Sequence, residues 1–197
     1  MTSGSLRHLR IPIAVAITVC LAACATNPSV FGTLDRNRPG LRLIESVPFF
    51  PQRQHQCGPA AMASVLNYRG LKIAPDEIAA AIYSKSARGT LTIDLILFSE
   101  NKGLRAEQYS GGIEDLRRNI DASNPLIVLV DYGFLAYRRD HFMAVVGYDE
   151  NHVIVHSGGE RFKPIPTEEF LRVWKKTKFW TLLILKNETA PEPLGRR

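Results

Sequence analysis

Residues 54–70 read QHQCGPAAMASVLNYRG, and the folding of this stretch decides how the rest of the chain is arranged. From Gly58 to Arg69, Ala61, Val65 and Leu66 fall on one helical stripe, with Pro59 in the first turn and Gly70 as a stop. Cys57 therefore stands where a helix begins. Orphan main-chain N–H groups and the positive end of the helix dipole favour an anion at that position. A cysteine placed there is either a small buried apolar residue or a thiol whose ionisation the helix end assists.

Working outward, the front half stays helical. "APDEIAAAIY" (74–83) has Pro75 and two acids in its first turn, "TIDLILFSENKG" (92–103) ends on Gly103, and "GIEDLRRNIDA" (112–122) makes a fourth helix. The back half changes period. "PLIVLVDY" (125–132) is a continuous apolar run, long enough only for a buried strand. "HFMAVVGYD" and "HVIVHS" flank Glu150-Asn151 and read as a hairpin, and "FKPIP" reads as a short edge strand. "TEEFLRVWKK" is a helix opened by a Thr167 cap, and "FWTLLIL" is a final strand. Helices first and antiparallel strands afterwards predict an α+β fold, not a doubly wound sheet.

The ends read differently. Arg7 and Arg10 precede the apolar run "IPIAVAITVCLAA", which is shorter than the roughly 20 apolar residues a membrane-spanning helix needs. It has the form of a signal peptide over 1–23. Leu21-Ala22-Ala23-Cys24 resembles the lipobox of bacterial lipoproteins, which implies lipidation of Cys24 and durable anchoring by its acyl chains. Residues 24–44, rich in Pro, Gly, Asn and Arg, then form a tether, 45–186 the folded domain, and 187–197 a disordered tail. The expected location is the cell envelope, on the periplasmic face of the outer membrane in a Gram-negative host, since Ala25 and not Asp follows Cys24.

The chain carries a net charge of +6 over 197 residues, and its charges are scattered. There is no arginine-rich arm or aromatic-basic ladder, so nucleic acid is not an expected partner. No phosphate-binding glycine loop followed by Lys-Ser/Thr occurs, so this chain holds no nucleotide-binding domain of that kind, and no metal-ligand spacing or cofactor motif is found. The three cysteines are Cys20, Cys24 and Cys57. With the first removed in the signal and the second lipidated, Cys57 is the lone thiol of an exported domain. It is then buried and inert or kept for its chemistry. A partner base is at hand in His141, which opens an apolar strand 84 residues later. His55 is too close in sequence to reach the thiol easily across the helix start.

"VPFFPQRQHQCGPAAMASVLNYRG" together with "HFMAVVGYDENHVIVHSG" resembles the bacteriocin-processing cysteine peptidases, a papain-fold family best known as the N-terminal domain of peptide-exporting ABC transporters. It is more similar still to stand-alone, peptidase-like lipoproteins of that superfamily. The resemblance covers about residues 47–184 and implies a papain-like fold, a helical half packed on an antiparallel sheet. It implies Cys57 as nucleophile and His141 as general base. The oxyanion glutamine would fall on position 51, which is Pro51 here, so Gln52 takes the role, with Gln54 as the second choice. The acid that orients the histidine would fall on Ser157, where a hydroxyl holds the ring more weakly than a carboxylate. Asp149 is nearby in sequence but sits at the hairpin turn.

Three functions follow from these residues. The first is a membrane-anchored cysteine peptidase acting on a peptide or protein substrate, with a glycine-type cleavage site implied by the resemblance alone. The second is a peptidase-like domain, catalytically weak or inactive, that binds a peptide or envelope partner. The third is a cell-wall amidase or endopeptidase of the NlpC type, for which His152 and His156 would supply a second histidine, although the Asp-Cys-Ser sequence of that group is absent.

Overall fold

The computed structural model describes residues 34–187 apart from 54, 85, 88 and 136. The signal-like segment with Cys20 and Cys24, the tether before 34, Gln54 and the tail from 188 lie outside the described residues.

A two-residue strand, β1 (Arg42–Leu43), comes first, and then the helical half begins. α1 spans Cys57–Tyr68 and α2 spans Pro75–Ile82. A small hairpin of β2 (Tyr83–Ser84) and β3 (Gly89–Thr90) leads into α3 (Thr92–Asn101). β4 (Leu104–Ser110) and α4 (Ile113–Asp121) follow, and then the main strands β5 (Leu126–Asp131), β6 (Asp140–Tyr148), β7 (His152–Ser157) and β8 (Glu160–Pro166). α5 (Thr167–Lys175) and β9 (Trp180–Lys186) close the domain.

The sheet runs β4-β9-β5-β6-β7-β8, antiparallel throughout, with β1 paired to the far end of β6. β5 and β9 are interior strands, which is why their runs are continuously apolar instead of alternating. β8 lies at an edge, where Pro164 and Pro166 remove no ladder donor that an outer neighbour needs.

Helices cover both faces of this sheet. Val128 pairs with both Thr181 and Met143, so these three share one face and Phe142 points to the other. A Cβ on Gly111 would strike Thr181 Oγ1 and Trp174, which places α5 on the Thr181 face. A Cβ on Gly58 would meet Thr90 at 2.9 Å and Phe142 at 3.4 Å, which places α1 and the β2–β3 hairpin on the opposite face. Met62, Val65 and Leu66 of α1 and Phe170 and Trp174 of α5 are buried there. This is an α+β papain-like arrangement.

Three expectations need correction. Residues 34–44 are not tether: β1 pairs Arg42 with Tyr148 and Leu43 with Gly147, and Ile44 donates to the Val146 carbonyl at 2.8 Å. Arg38 Nε also meets the buried Asp149 carboxylate at 2.5 Å. Second, Thr167 does not cap α5; Pro166 holds the cap position with no side-chain bond, and Thr167 is the first helical residue. Third, residues 104–110, which the sequence pattern assigns to no element, form a full strand. Leu104 is buried and most of the strand is polar and half-open, because it is an edge strand that pairs with β9 alone.

Candidate active site

Cys57 is the first residue of α1, and its neighbours explain why the helix starts there. Gln56 at the cap position makes no side-chain cap bond, so the first N–H groups of α1 are left to other partners. The thiol is partly buried, with the main-chain N–H groups of Phe142, Gly58 and Cys57 acting to lower its pKa, and a Cβ on Gly58 would stand 3.4 Å from the Phe142 ring. The helix start and the histidine strand therefore meet at Phe142.

A gap in the sheet makes the meeting possible. Ala144 pairs with His156, so the same register two residues on would pair Phe142 with Gly158. The ladder does not reach that far, because Gly158 turns away with φ +61°. Gln52 fills the place. Its main-chain N–H donates to Gly158 O at 2.8 Å, its Oε1 accepts from Gly158 N–H at 2.9 Å, and its Nε2 donates to Phe142 O at 3.2 Å. The side-chain amide thus bridges two strands where they part. One amide hydrogen is used on Phe142, and the other has no partner among the described residues.

His141 Nε2 lies 2.9 Å from Ser157 Oγ, and the imidazole stands beside the Tyr132 ring, 6.0 Å between centroids. Gln52 and the start of α1 with Cys57 thus meet β6 at Phe142, and His141, the residue before it, reaches Ser157. The structure leaves the other candidates elsewhere. Asp149 and His152 sit at the β6–β7 turn, bound to each other at 2.9 Å and to Arg38. His156 is 3% exposed and locked between Val47 O and Phe162 N–H, each at 3.2 Å. Neither His152 nor His156 reaches His141's ring nitrogen, so the second histidine that the cell-wall reading needs is absent from the site. His55 is exposed, in a left-handed backbone conformation.

The electrostatics favour neutral partners. Burial pushes the Cys57 thiol up, against the three N–H groups that hold it down, and the Asp140 carboxylate adds to the rise. Burial brings His141 down to about 4, helped by the Arg139 and Lys163 cations. The resting pair is therefore thiol and imidazole, not thiolate and imidazolium. Among the described residues no cluster of three or more metal-binding side chains occurs.

Sequence reading missed Thr90. Its Oγ1 is buried with no hydrogen-bond partner among the described residues, and it packs where a Cβ on Gly58 would stand. Only the fold brings β3 against the start of α1, so no local signal could have placed it.

A thiol at a helix start, set against a histidine-bearing antiparallel strand, defines the papain-like class of cysteine-peptidase domains. The chain belongs to the Peptidase_C39 like family, whose sequence pattern matches residues 44–181. It is 32% identical over 111 residues to an uncharacterized protein of Methanothermobacter thermautotrophicus, covering 56% of this chain and 70% of that one. A Methanothermobacter marburgensis protein is 33% identical over 99 residues, covering 50% and 62%. Among solved structures, a Bacillus anthracis protein described as C39-like superposes with a TM-score of 0.62 at 16% identity, over 75% of this chain and 98% of that one. The peptidase domain of Streptococcus ComA, a bifunctional ABC transporter of a quorum-sensing pathway, gives 0.59 at 19% identity, over 72% and 99%. A double-glycine-motif protease from an AMS/PCAT transporter, solved in complex with the leader peptide, gives 0.58 at 20% identity, over 77% and 96%. At these identities the solved structures speak for the fold alone.

Proposed function

We propose that this chain is a cysteine peptidase held at a membrane through its N-terminal segment, with lipid on Cys24, in the cell envelope. The observation that carries the peptidase reading is the start of α1, which holds Cys57, packed against β6 at Phe142 while Nε2 of the adjacent His141 rests on Ser157. With Ser157 accepting from Nε2–H, Nδ1 is the basic nitrogen. As Cys57 Sγ attacks a peptide carbonyl carbon, the thiol proton passes to Nδ1. The Cys57 N–H and the second amide hydrogen of Gln52 hold the oxyanion. The C–N bond breaks, the amine leaves with the proton from His141, and a thioester remains on Cys57. Water, deprotonated by His141, releases the acid and restores the thiol. A peptide substrate is supported by the leader peptide bound to the related double-glycine-motif protease.

A second reading is a domain of the same fold that binds a peptide without cutting it. The neutral resting pair and the hydroxyl in place of an acid favour it. One experiment separates the two. Purified chain is incubated with a peptide library, and cleavage is followed by mass spectrometry for wild type, Cys57→Ala and His141→Ala. Cleavage lost in both variants supports the peptidase. Binding that persists in Cys57→Ala, with no cleavage by wild type, assigns the second reading.

A further inference from the structure

The most exposed apolar residues of the domain lie on one loop, and that loop grows from the site. Between β5 and β6, Phe134 is 78% exposed, Leu135 90% and Tyr137 74%. Phe134 and Tyr137 are joined by an antiparallel bridge, so the chain makes a tight projecting tip, not a groove. Leu135 holds a left-handed conformation at φ +53°, unusual for a branched side chain, and this keeps it pointing outward at the turn. Beneath the tip, Asp131 accepts the N–H groups of Gly133 and Arg139 at 2.7 and 2.8 Å, and Lys176 Nζ donates to Gly133 O at 2.5 Å. The loop is thus fastened at its root while its apex is bare.

Cations surround the root. Arg138, Arg139, Arg172 and Lys176 act on Asp131 or Tyr132 at the root, and all four are exposed. The acids facing them are fewer or already engaged: Asp131 is buried under the loop, Asp140 is paired with Arg138, and Glu169 is exposed near Tyr132. An apolar apex of Phe, Leu and Tyr above a collar of Arg and Lys matches the layering of a bilayer surface with anionic headgroups. A peptide-binding surface would instead be concave and partly shield these side chains.

We infer that the 132–139 loop inserts its Phe134, Leu135 and Tyr137 tip into the surface of an anionic phospholipid bilayer. This rests on the membrane attachment proposed above. Because the Tyr132 ring stands beside His141, insertion puts the site at the lipid surface, and the substrate class becomes peptide segments that emerge from or lie on the bilayer.

The test uses the full chain with a tryptophan reporter, Phe134→Trp, and a matched reporter on α3, Leu97→Trp, which is also exposed. Each is mixed with phosphatidylcholine vesicles containing phosphatidylglycerol, with and without brominated lipid. The expected result is a blue shift and bromolipid quenching at position 134 and neither at 97. Arg139→Glu should reduce the quenched fraction about fivefold, and added salt should mimic it. A reporter at 134 that stays water-like while the chain sediments with vesicles overturns the loop and leaves the anchor standing. A blue shift that grows with protein concentration but is not quenched by bromolipid assigns the tip to a protein contact and also overturns it. A chain that neither sediments nor quenches overturns the anchor as well, and the peptidase reading is judged separately by the Cys57 and His141 variants.

Discussion

Ser157 meets His141 Nε2 at 2.9 Å with a hydroxyl, and a hydroxyl both donates and accepts. A carboxylate there could only accept, which would fix the proton on Nε2 and keep Nδ1 basic. The serine leaves both tautomers open, and in one of them Nδ1 carries the proton and cannot take another. It also leaves the imidazolium with no negative partner, while Arg139 and Lys163 oppose it and burial holds the ring at about 4. Ser157→Asp should therefore raise the His141 pKa and increase turnover by about tenfold or more. The pH profile of kcat/KM would show the acidic limb moving to higher pH; a variant with unchanged profile and rate would mean that His141 is not the base. The same neutrality sets the thiol's behaviour. Iodoacetamide labelling of Cys57 in the free chain should keep climbing into the alkaline range, because burial raises the thiol and no preformed ion pair lowers it. A labelling plateau already reached near neutral pH would contradict this. Cys57 and His141 were legible in the sequence from their settings at a helix start and a strand start. Gln52's part was only half legible: the resemblance gave the residue, but its bridge from Phe142 O to Gly158 N–H depends on where β7 leaves β6.

At the level of elements, legibility follows how much of a segment's burial is decided locally. β5 is buried at every position and reads as a strand from its unbroken apolar run; α1 reads from its stripe and its Gly-Pro start. β4 does not, since Leu104 alone is buried and the pairing that makes it a strand comes from β9, more than 70 residues later. β1 is the sharper case. Two residues cannot show a period, and the Pro, Gly, Asn and Arg around them suit a tether equally well. What holds β1 is a vacancy in β6: a Cβ on Gly147 would come within 2.5 Å of Arg42 O and 2.8 Å of Leu43 Cδ1. The glycine lets the N-terminal segment lie directly on the strand. Gly147→Ala should displace β1 and destabilise the domain by about 2 kcal/mol, in the range of an overpacked core site. Limited proteolysis would then cut within 34–44 well before global unfolding, with the remaining core intact. Equal protection of that segment in wild type and variant would show that β1 contributes little to holding it.

For the molecule as a whole, acid sensitivity is set by two histidines on neighbouring strands of one sheet, both held near 4 against an ordinary 6.5. In each case burial is the largest cause. A base with a lowered folded pKa takes up its proton more readily when unfolded. Its neutral form therefore supports the fold fully above pH 6.5, and that support is lost as pH falls from 6.5 towards 4. For the fully buried His156 the shift is worth roughly 3 kcal/mol, and for the more open His141 somewhat less. Carboxylates act later. Asp131 is lowered mainly by the Arg139 N–H, and Asp149 is brought to about 2 by Arg38, the Asn151 N–H and His152, although burial opposes this, so both titrate below the histidine window. His156 also explains why the charge cannot be accommodated. Nδ1 accepts from Phe162 N–H, so a proton there would face another donor, while Nε2 already donates to Val47 O. Glutamine in its place can accept from one and donate to the other without titrating. Unfolding free energy from urea titrations should thus fall by several kcal/mol between pH 7 and 4 in wild type, and His156→Gln should remove about half of that decline. Parallel curves for the two proteins would refute the assignment of the acid sensitivity to His156. A variant that flattens the curve while leaving Cys57 chemistry unchanged would separate the histidine that holds the sheet together from the one proposed as the base.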